Sequence, residues 1–399
     1  MTPGNTALRT ASEPTMRLIS FATLFVIGTD TFLTAPLLPL LQREFGVSVS
    51  QSGWLVSAYA LGYALFALIA GPISDRLDRR KVLLAGLIGF TVFTAACGGT
   101  WDFWSLFATR LFAGIAAAFV TPQIWASIPV TVAPPSIVKT MGYATAGLAI
   151  AQVVGIPIGS FLSSLGWRIP FFAIAAASVL LWILLYARFP NVRPANAAGG
   201  RLFAPYAHVG RSRPLMLSLV AYLLFQTGNF AALSFIGSWF SQDFGATQTM
   251  IGAAMIVIGL GNAIGSLTGS RLVARLGQQR SLLLGILALG AIYLVTAFVH
   301  TMWIAVVVLA LGMLVGGFLF PVLMSELQSH TDLARGTVSS LSNAAMYAGT
   351  TIGGAVGGYL LTQFTGYSGV AVFTVAAYIV SLGVYAFGGA FKKSTETIS

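Results

Sequence analysis

The chain has 399 residues, 57% of them hydrophobic and only 8% charged, with a formal net charge of +11. A soluble chain of this size carries roughly 25% charged residues to cover its water-facing surface, so most of this surface must face lipid. The positive charges sit in short clusters between apolar runs, not along one face or in a tail, which argues against nucleic-acid binding, and a single cysteine, Cys97, rules out a disulfide framework within the chain.

In chain order, Met1 to Thr15 is polar and mixed, and the first apolar run is too long for the core of a cleavable signal peptide. Twelve apolar runs follow, at about 18–40, 53–73, 82–100, 103–125, 141–163, 168–188, 214–240, 249–270, 281–299, 302–324, 337–362 and 369–391. Each is long enough to cross a hydrocarbon core of roughly 30 Å at about 1.5 Å per residue. Helices satisfy their own backbone in lipid, and the alternating ten-residue segments of a β-barrel are absent. The reading is an all-α membrane protein of twelve transmembrane helices. Most connections are short, so neighbours are antiparallel, and an even count puts both termini on one side.

Eighteen of the twenty-one basic residues fall on the side of the termini. They include Arg76, Arg79, Arg80 and Lys81 in the second connection, five arginines between Arg188 and Arg213, and Lys392 and Lys393 at the end. Arg43 and Arg168 lie on the other side, and Arg110 lies within a run. The positive-inside rule makes both termini cytoplasmic, in a multi-pass protein of the cell (plasma or inner) membrane. The longest connection, rich in Pro, Gly, Ala and Arg, separates two sets of six runs. Residues 1–189 form one bundle, 190–213 a cytoplasmic linker and 214–399 a second bundle. The halves repeat: Asp75–Gly86 reads DRLDRRKVLLAG, and 199 residues later Ala274–Gly285 reads ARLGQQRSLLLG. The same offset carries Gly155 and Gly159 onto Gly354 and Gly358. Two pseudo-symmetric six-helix bundles in parallel repeat are the arrangement of transporters that rock about a central site.

Four local patterns carry a family resemblance. Gly71-Pro-Ile-Ser-Asp75-Arg76-Leu-Asp78-Arg79-Arg80-Lys81 follows the second run, with Asp78 where the pattern G-x-x-x-D-R-x-G-R-R has Gly. Arg110-Leu-Phe-Ala113-Gly114 is similar to R-x-x-Q-G, with Ala113 in place of Gln. Gly147, Gly155, Pro157 and Gly159 in the fifth run resemble a glycine–proline motif whose Gly-Pro pair is split here by Ile156. Asp30 stands in the first run, followed by Pro36 and Pro39. Together these resemble the major facilitator superfamily over the whole chain, and more narrowly its twelve-helix drug/proton antiporter branch. The resemblance implies a secondary transporter with no cofactor other than the proton as coupling ion. It makes Asp30 the proton acceptor, puts the loop carrying Gly71, Asp75, Arg76, Arg79 and Arg80 against helix eleven as a conformational latch, and makes the glycines and Pro157 of helix five a stiff bend that blocks leakage.

Apart from Arg168 and Arg188 at the two ends of the sixth run, Asp30 and Arg110 are the only charged residues within the twelve runs. A charge at bilayer depth costs on the order of 2.5–3.5 kcal/mol and usually faces the bundle interior. The pair has a plain reading, neutralisation that holds helices one and four together, and a functional one. Burial favours the neutral acid at Asp30 and a nearby Arg favours its carboxylate, so the balance lets a proton come and go near physiological pH. The second connection is likewise either an orientation signal or the latch. An apolar, adaptable wall with a few polar groups has candidates near mid-span in Phe32, Tyr63, Phe119, Gln123, Gln152, Gln226, Asn229, Phe318, Asn343 and Tyr347. One acid and one base inside suit a small-molecule substrate that is lipophilic and neutral or singly cationic. His208, His300 and His330 all fall outside the runs, which disfavours an intramembrane metal site, and no G-x-x-x-x-G-K-[ST] loop is present. The readings that stand are proton-coupled export of lipophilic compounds, proton-coupled export of a polar metabolite (sugar, nucleoside or amino acid), and a membrane enzyme or receptor without transport, in each case as a monomer in the bilayer.

Overall fold

A computed structural model describes residues 12–74, 77–133, 136–191, 206, 210–329 and 335–391. Asp75, Arg76, His208, His330 and most of the 190–213 linker lie outside the described residues. The fold is all-helical, with twelve membrane-length helices among the described residues. They are α1 (Glu13–Phe45), α2 (Val49–Ser74), α3 (Arg79–Gly98), α4 (Phe103–Ala118 continued by Thr121–Thr131), α5 (Ile137–Ile150, a π-helical turn Ala151–Gly155, then Ile156–Ser163) and α6 (Ile169–Arg188). The second half has α7 (Arg213–Ser234 continued by Ile236–Phe244), α8 (Gln248–Leu276), α9 (Gln278–Thr296), α10 (Met302–Ser329), α11 (Arg335–Gln363) and α12 (Ser368–Phe387).

Several helices outrun the apolar runs that predict them, because the runs mark only the hydrocarbon crossing. At the polar ends, local chemistry sets the boundaries. Gly46 and Gly245 close α1 and α7 in the left-handed conformation, at φ 62° and 63°, where a Cβ would be strained. Asp78 caps α3, its side chain accepting from the Arg80 backbone N–H at 3.0 Å; this gives a reason for the aspartate where the family pattern has glycine. Asp102 and Ser105 form a reciprocal capping box at the start of α4. The Ser105 backbone N–H holds the exposed Asp102 carboxyl below the usual carboxylate range. Pro122 follows the break in α4 and Pro157 follows the π-helical turn in α5. Each lacks the N–H that would bond back to the preceding turn.

Each half builds its own core. One cluster joins side chains from Met16 to Phe189, the other from Leu215 to Ala390; among the described residues the buried Tyr347, Leu38 and Val56 cross over, with the half-buried Val49, Met346 and Ala348 beside them. Close packing repeats with the 199-residue offset. Gly62 lies on the Leu111 carbonyl and Gly261 on that of Ala310; Gly86 lies against Phe119 and Gly285 against Phe318. A Cβ at any of these glycines would collide with its neighbour, so the small residue sets the helix spacing.

The bundles meet along two seams, α2 with α11 and α5 with α8. On the first seam Ser57 donates to the Thr351 carbonyl at 2.7 Å, and Gly354 and Gly358 lie against Ser57 and Ser50. On the second, Asn262 Nδ2 donates to Gln152 Oε1 at 2.7 Å. Where α1 ends and α2 begins, further bonds cross: Gln42 to Ser238 at 3.3 Å, Arg43 to Ser241 at 3.2 Å and Gln248 to the Pro36 carbonyl at 2.8 Å.

Eleven of the twelve helices are long and apolar enough to cross a membrane by length and composition; α11 is the exception. Its sequence is rich in Gly, Ser and Thr. It packs between α2 and α7, with Gly349, Gly353 and Gly357 against Gln226–Thr227, Ala231 and Phe235. A helix covered by other helices has little lipid to match, so its composition is free to serve packing instead.

Candidate functional site: a buried ion pair beside the bundle seam

The site is built on α1. Gly147, Gly155 and Gly159 of α5 bring that helix onto Phe21, Thr29 and Leu33, which fixes the face of α1 that carries Asp30. Arg110 projects from α4 and donates Nη1–H to Asp30 Oδ2 at 2.9 Å; its Nη2 lies 3.4 Å from the Asp30 carbonyl. The two side chains are 0% and 1% exposed. Asp30 Oδ1 and Arg110 Nε are buried without a hydrogen-bond partner. The guanidinium also lies 4.4 Å over the Tyr59 ring of α2. Gly114, one turn beyond Arg110, rests directly on the Tyr59 backbone and makes that approach possible. Cys97 is buried alongside.

Chemically, this is one acid and one base withdrawn from water and each incompletely satisfied. Such a pair costs several kcal/mol of desolvation per ion, offset only by mutual attraction and hydrogen bonds. A proton arriving at the open Oδ1 would cancel the attraction on the other side of the same carboxyl. The pair therefore has two chemically distinct states that differ by one proton.

The other sequence candidates divide by place. Tyr63 and Tyr347 come together across the first seam, stacked with centroids 3.8 Å apart. Gln152 sits in the π-helical turn and bonds across the second seam. Gln226 donates to the Tyr222 hydroxyl at 3.2 Å, and Asn229 accepts from Tyr378 at 3.3 Å, both within the second bundle. Gln123 is wholly buried in the first bundle's core region with neither amide atom partnered. Phe119 floors a cavity of 470 Å³ between α2, α3 and α4, with Ile73, Leu77 and Lys81 on its walls. Phe318 packs against Gly269 and Gly285. Phe32 and Asn343 are half-buried.

At the start of α3, Arg79 donates to the Ala126 carbonyl, and Arg80 reaches the Tyr186 carbonyl and Asn191. These described side chains thus hold α3 to α4 and α6 of their own bundle. The expectation of only two charged residues within the spans needs correction. The tenth helix continues past its apolar run to Ser329, and Glu326 within it is 5% exposed, accepting from Gln278 at 3.0 Å. A run judged by apolarity stops at such a residue, whereas a helix bonded along its backbone does not. Tyr59 and Asn262 escaped the sequence reading as well. The repeat offers a signal for Asn262, which occupies the position in the second half that Tyr63 occupies in the first.

Two repeated six-helix bundles, joined along two seams with an ion pair sealed at mid-depth, define a multi-pass membrane transport protein. Comparison with known proteins agrees. The Major Facilitator Superfamily profile matches residues 20–240 and 218–397. The MFS-type transporter YceJ of Bacillus subtilis (strain 168) is 50% identical over 366 residues, covering 92% of this chain and 94% of that protein. The probable sugar efflux transporter of Pasteurella multocida (strain Pm70) is 27% identical, with 95% of each chain covered. Multidrug resistance protein 1 of B. subtilis is 27% identical, with 86% of this chain and 88% of that protein covered. A bacterial homolog of the human lysosomal transporter Spinster, solved in an inward-facing and occupied conformation, shares the fold with a TM-score of 0.74 at 17% identity, covering 97% of this chain and 98% of that one. The chain belongs to the Major Facilitator Superfamily and is a secondary transporter of small molecules.

Proposed function

We propose that this transporter exports small lipophilic neutral or cationic compounds in exchange for protons, by alternating access. Residues 1–189 and 214–399 are the two moving bundles, 190–213 is a cytoplasmic linker, and both termini are cytoplasmic. The observation that carries the reading is the buried Asp30–Arg110 pair, with one carboxylate oxygen left open. Asp30 takes a proton from the outer side and releases it to the inner side, and Arg110 stabilises the charged form between those events. The glycine-packed face of α5 keeps α1 from slipping while the bundles rock, and the loop carrying Gly71, Asp75, Arg76, Arg79 and Arg80 acts as a conformational latch, with Arg79 and Arg80 tying α3 to α4 and α6. The resemblance to a multidrug resistance protein supports a drug-like substrate.

Ethidium efflux from proteoliposomes with an imposed pH gradient tests the coupling. Asp30→Asn should lose pH-driven efflux by more than about tenfold, the order expected for removing the proton carrier of the buried ion pair, while the purified protein still elutes as a folded species. Gradient-driven efflux retained by this variant refutes the assignment. A second reading, export of a polar metabolite, is favoured by the Gln152–Asn262 amide pair at the seam and by the resemblance to a sugar efflux transporter. Thermal stabilisation by sugars and not by lipophilic cations would select it.

A further inference from the structure

At the end of the molecule away from the basic connections the two bundles are shut against each other, and one side chain there holds three helices together. Gln248 opens α8 and is half-buried at the α5–α8 seam. Its side-chain amide has two N–H donors, and both cross the seam. One donates to the Pro36 carbonyl of α1 at 2.8 Å, the other to Ser160 Oγ of α5 at 3.1 Å. Pro36 and Ser160 are both buried. The receiving surface on α1 is shaped by its prolines, since Pro39 has no N–H to give to the Ala35 carbonyl. Gly237 of α7 rests on Ala35 and Pro36 at the same point, where an added Cβ would come within 3.1 Å of Pro36 Cα. Gly252, one turn further along α8, lets that helix approach Ser160 and Phe161. The 199-residue repeat does not carry the contact to the other seam. Val49 of α2 stands where Gln248 stands, so the α2–α11 seam lacks this amide.

We propose that Gln248 is the clasp that keeps the α5–α8 side of this end closed, and that releasing its two bonds lets the interior open toward that side. Gln248 is a positioning residue: it acts on α1 and α5, not on substrate or proton. The proposal rests on alternating access and is independent of Asp30. The chemistry suits a contact that is made and broken in every cycle. An amide bonded to a carbonyl and a hydroxyl is neutral, and on release each group bonds to water instead, so the closed state gains only a small factor from each bond. A buried ion pair in the same place would carry a desolvation penalty each time the end closed. Gln42 to Ser238 at 3.3 Å and Arg43 to Ser241 at 3.2 Å cross the same end, also onto neutral acceptors. The ionisable side chains at this end, among the described residues, are Arg43, Glu44, Asp102, Arg168, Asp243 and His300, and none of them bonds to Gln248. The clasp itself is therefore indifferent to pH.

The test needs no knowledge of the substrate. Spin labels at Leu165→Cys and Phe298→Cys, 75% and 73% exposed in the parent and one on each bundle, report the distance across this end. Labels at Lys81→Cys and Arg275→Cys, both exposed, report the basic end. The buried Cys97 is replaced by Ala throughout, and the proteins are held in lipid nanodiscs. Gln248→Leu keeps the bulk and loses both donors. It should raise the open population at this end by about fivefold, the factor for two modest hydrogen bonds, with a matching fall in the open population at the basic end. Gln248→Glu is the sharper variant. Its carboxylate sets an acceptor against the Pro36 carbonyl, so at neutral pH it should open this end at least as far as Gln248→Leu. Below the carboxyl pKa, about 4.3 when unperturbed, it regains an O–H donor and should close again, read as the difference from the parent at each pH. If both variants follow the parent at this end, the clasp is wrong; two populations in the parent then leave alternating access standing, and one fixed population removes it too. If Gln248→Glu opens equally at every pH, lost packing rather than lost donors is responsible and the clasp is also wrong. If the variants open this end, with the expected pH response, while the basic end stays as in the parent, the clasp stands and alternating access fails.

Discussion

Removing Arg110 isolates the energetics of the ion pair. In Arg110→Gln, the Asp30 carboxylate loses the 2.9 Å bond to Nη1 and the charge that faces it, at a position 0% exposed. Breaking a buried pair by deleting one partner costs about 3–5 kcal/mol. A chain of this size shifts its melting midpoint by roughly 2 °C per kcal/mol, so the variant should melt about 6–10 °C lower at neutral pH. Tryptophan fluorescence during heating in detergent, at one scan rate for all variants, measures the difference. The deficit should depend on pH with a definite sign. At low pH Asp30 gains a proton, the unpaired charge disappears and the deficit shrinks; as pH rises the carboxylate returns and the deficit grows. Asp30→Asn makes the opposite orphan, a guanidinium that no accessible pH neutralises, so its deficit should be flat. The double variant Asp30→Asn/Arg110→Gln removes both charges and should recover at least about half of either loss, because neutral replacement of a whole buried pair is often tolerated. A single-variant cost below about 0.5 kcal/mol, the scale of surface changes, or strict additivity in the double variant, would refute the view that these side chains form one buried electrostatic unit.

Gly265→Ala places a Cβ against the Leu314 carbonyl of α10 and should destabilise by about 1–3 kcal/mol, whereas Gly316→Ala, with nothing within 4 Å of the added atom, should be near neutral in the same melting assay. Asp102→Ala should lower the midpoint at neutral pH and match the parent at low pH. The Asp102 carboxyl titrates below its usual range in the folded protein, so its stabilisation is present above the unfolded value near pH 4 and is lost as pH falls through the lower folded value.

The twelve helices were legible because lipid demands apolar runs of a set length, and eleven of the helices obey that demand. The ion pair was legible because charge is so costly at that depth that Asp30 and Arg110 stand out within their runs. The neighbours of the pair were harder to see. Tyr59 is one tyrosine among twelve, and nothing local marks it until α4 settles on α2 through Gly62 and Gly114. Gln226 and Asn229 read as cavity groups from depth alone; their amides bond to Tyr222, one turn back on α7, and to Tyr378 of α12. Rotation about a helix axis is poorly encoded where nearly every residue is apolar, because the amphipathic stripe that fixes a soluble helix is missing. Glu326 was hidden for a different reason: an apolar window closes at an acid, while the helix continues past it.

The composition of α11 bears on how the protein reaches its membrane. A segment less apolar than its neighbours gains less by leaving the insertion machinery alone. The partners that bury it, α2 and α7, precede it in the chain and so are made before it. Its insertion is thus a docking step into a prepared groove, and synthesis order becomes part of the folding instruction. A chain with its halves exchanged in order would present α11 before α2 exists, and membrane integration, rather than final stability, is where that rearrangement would fail.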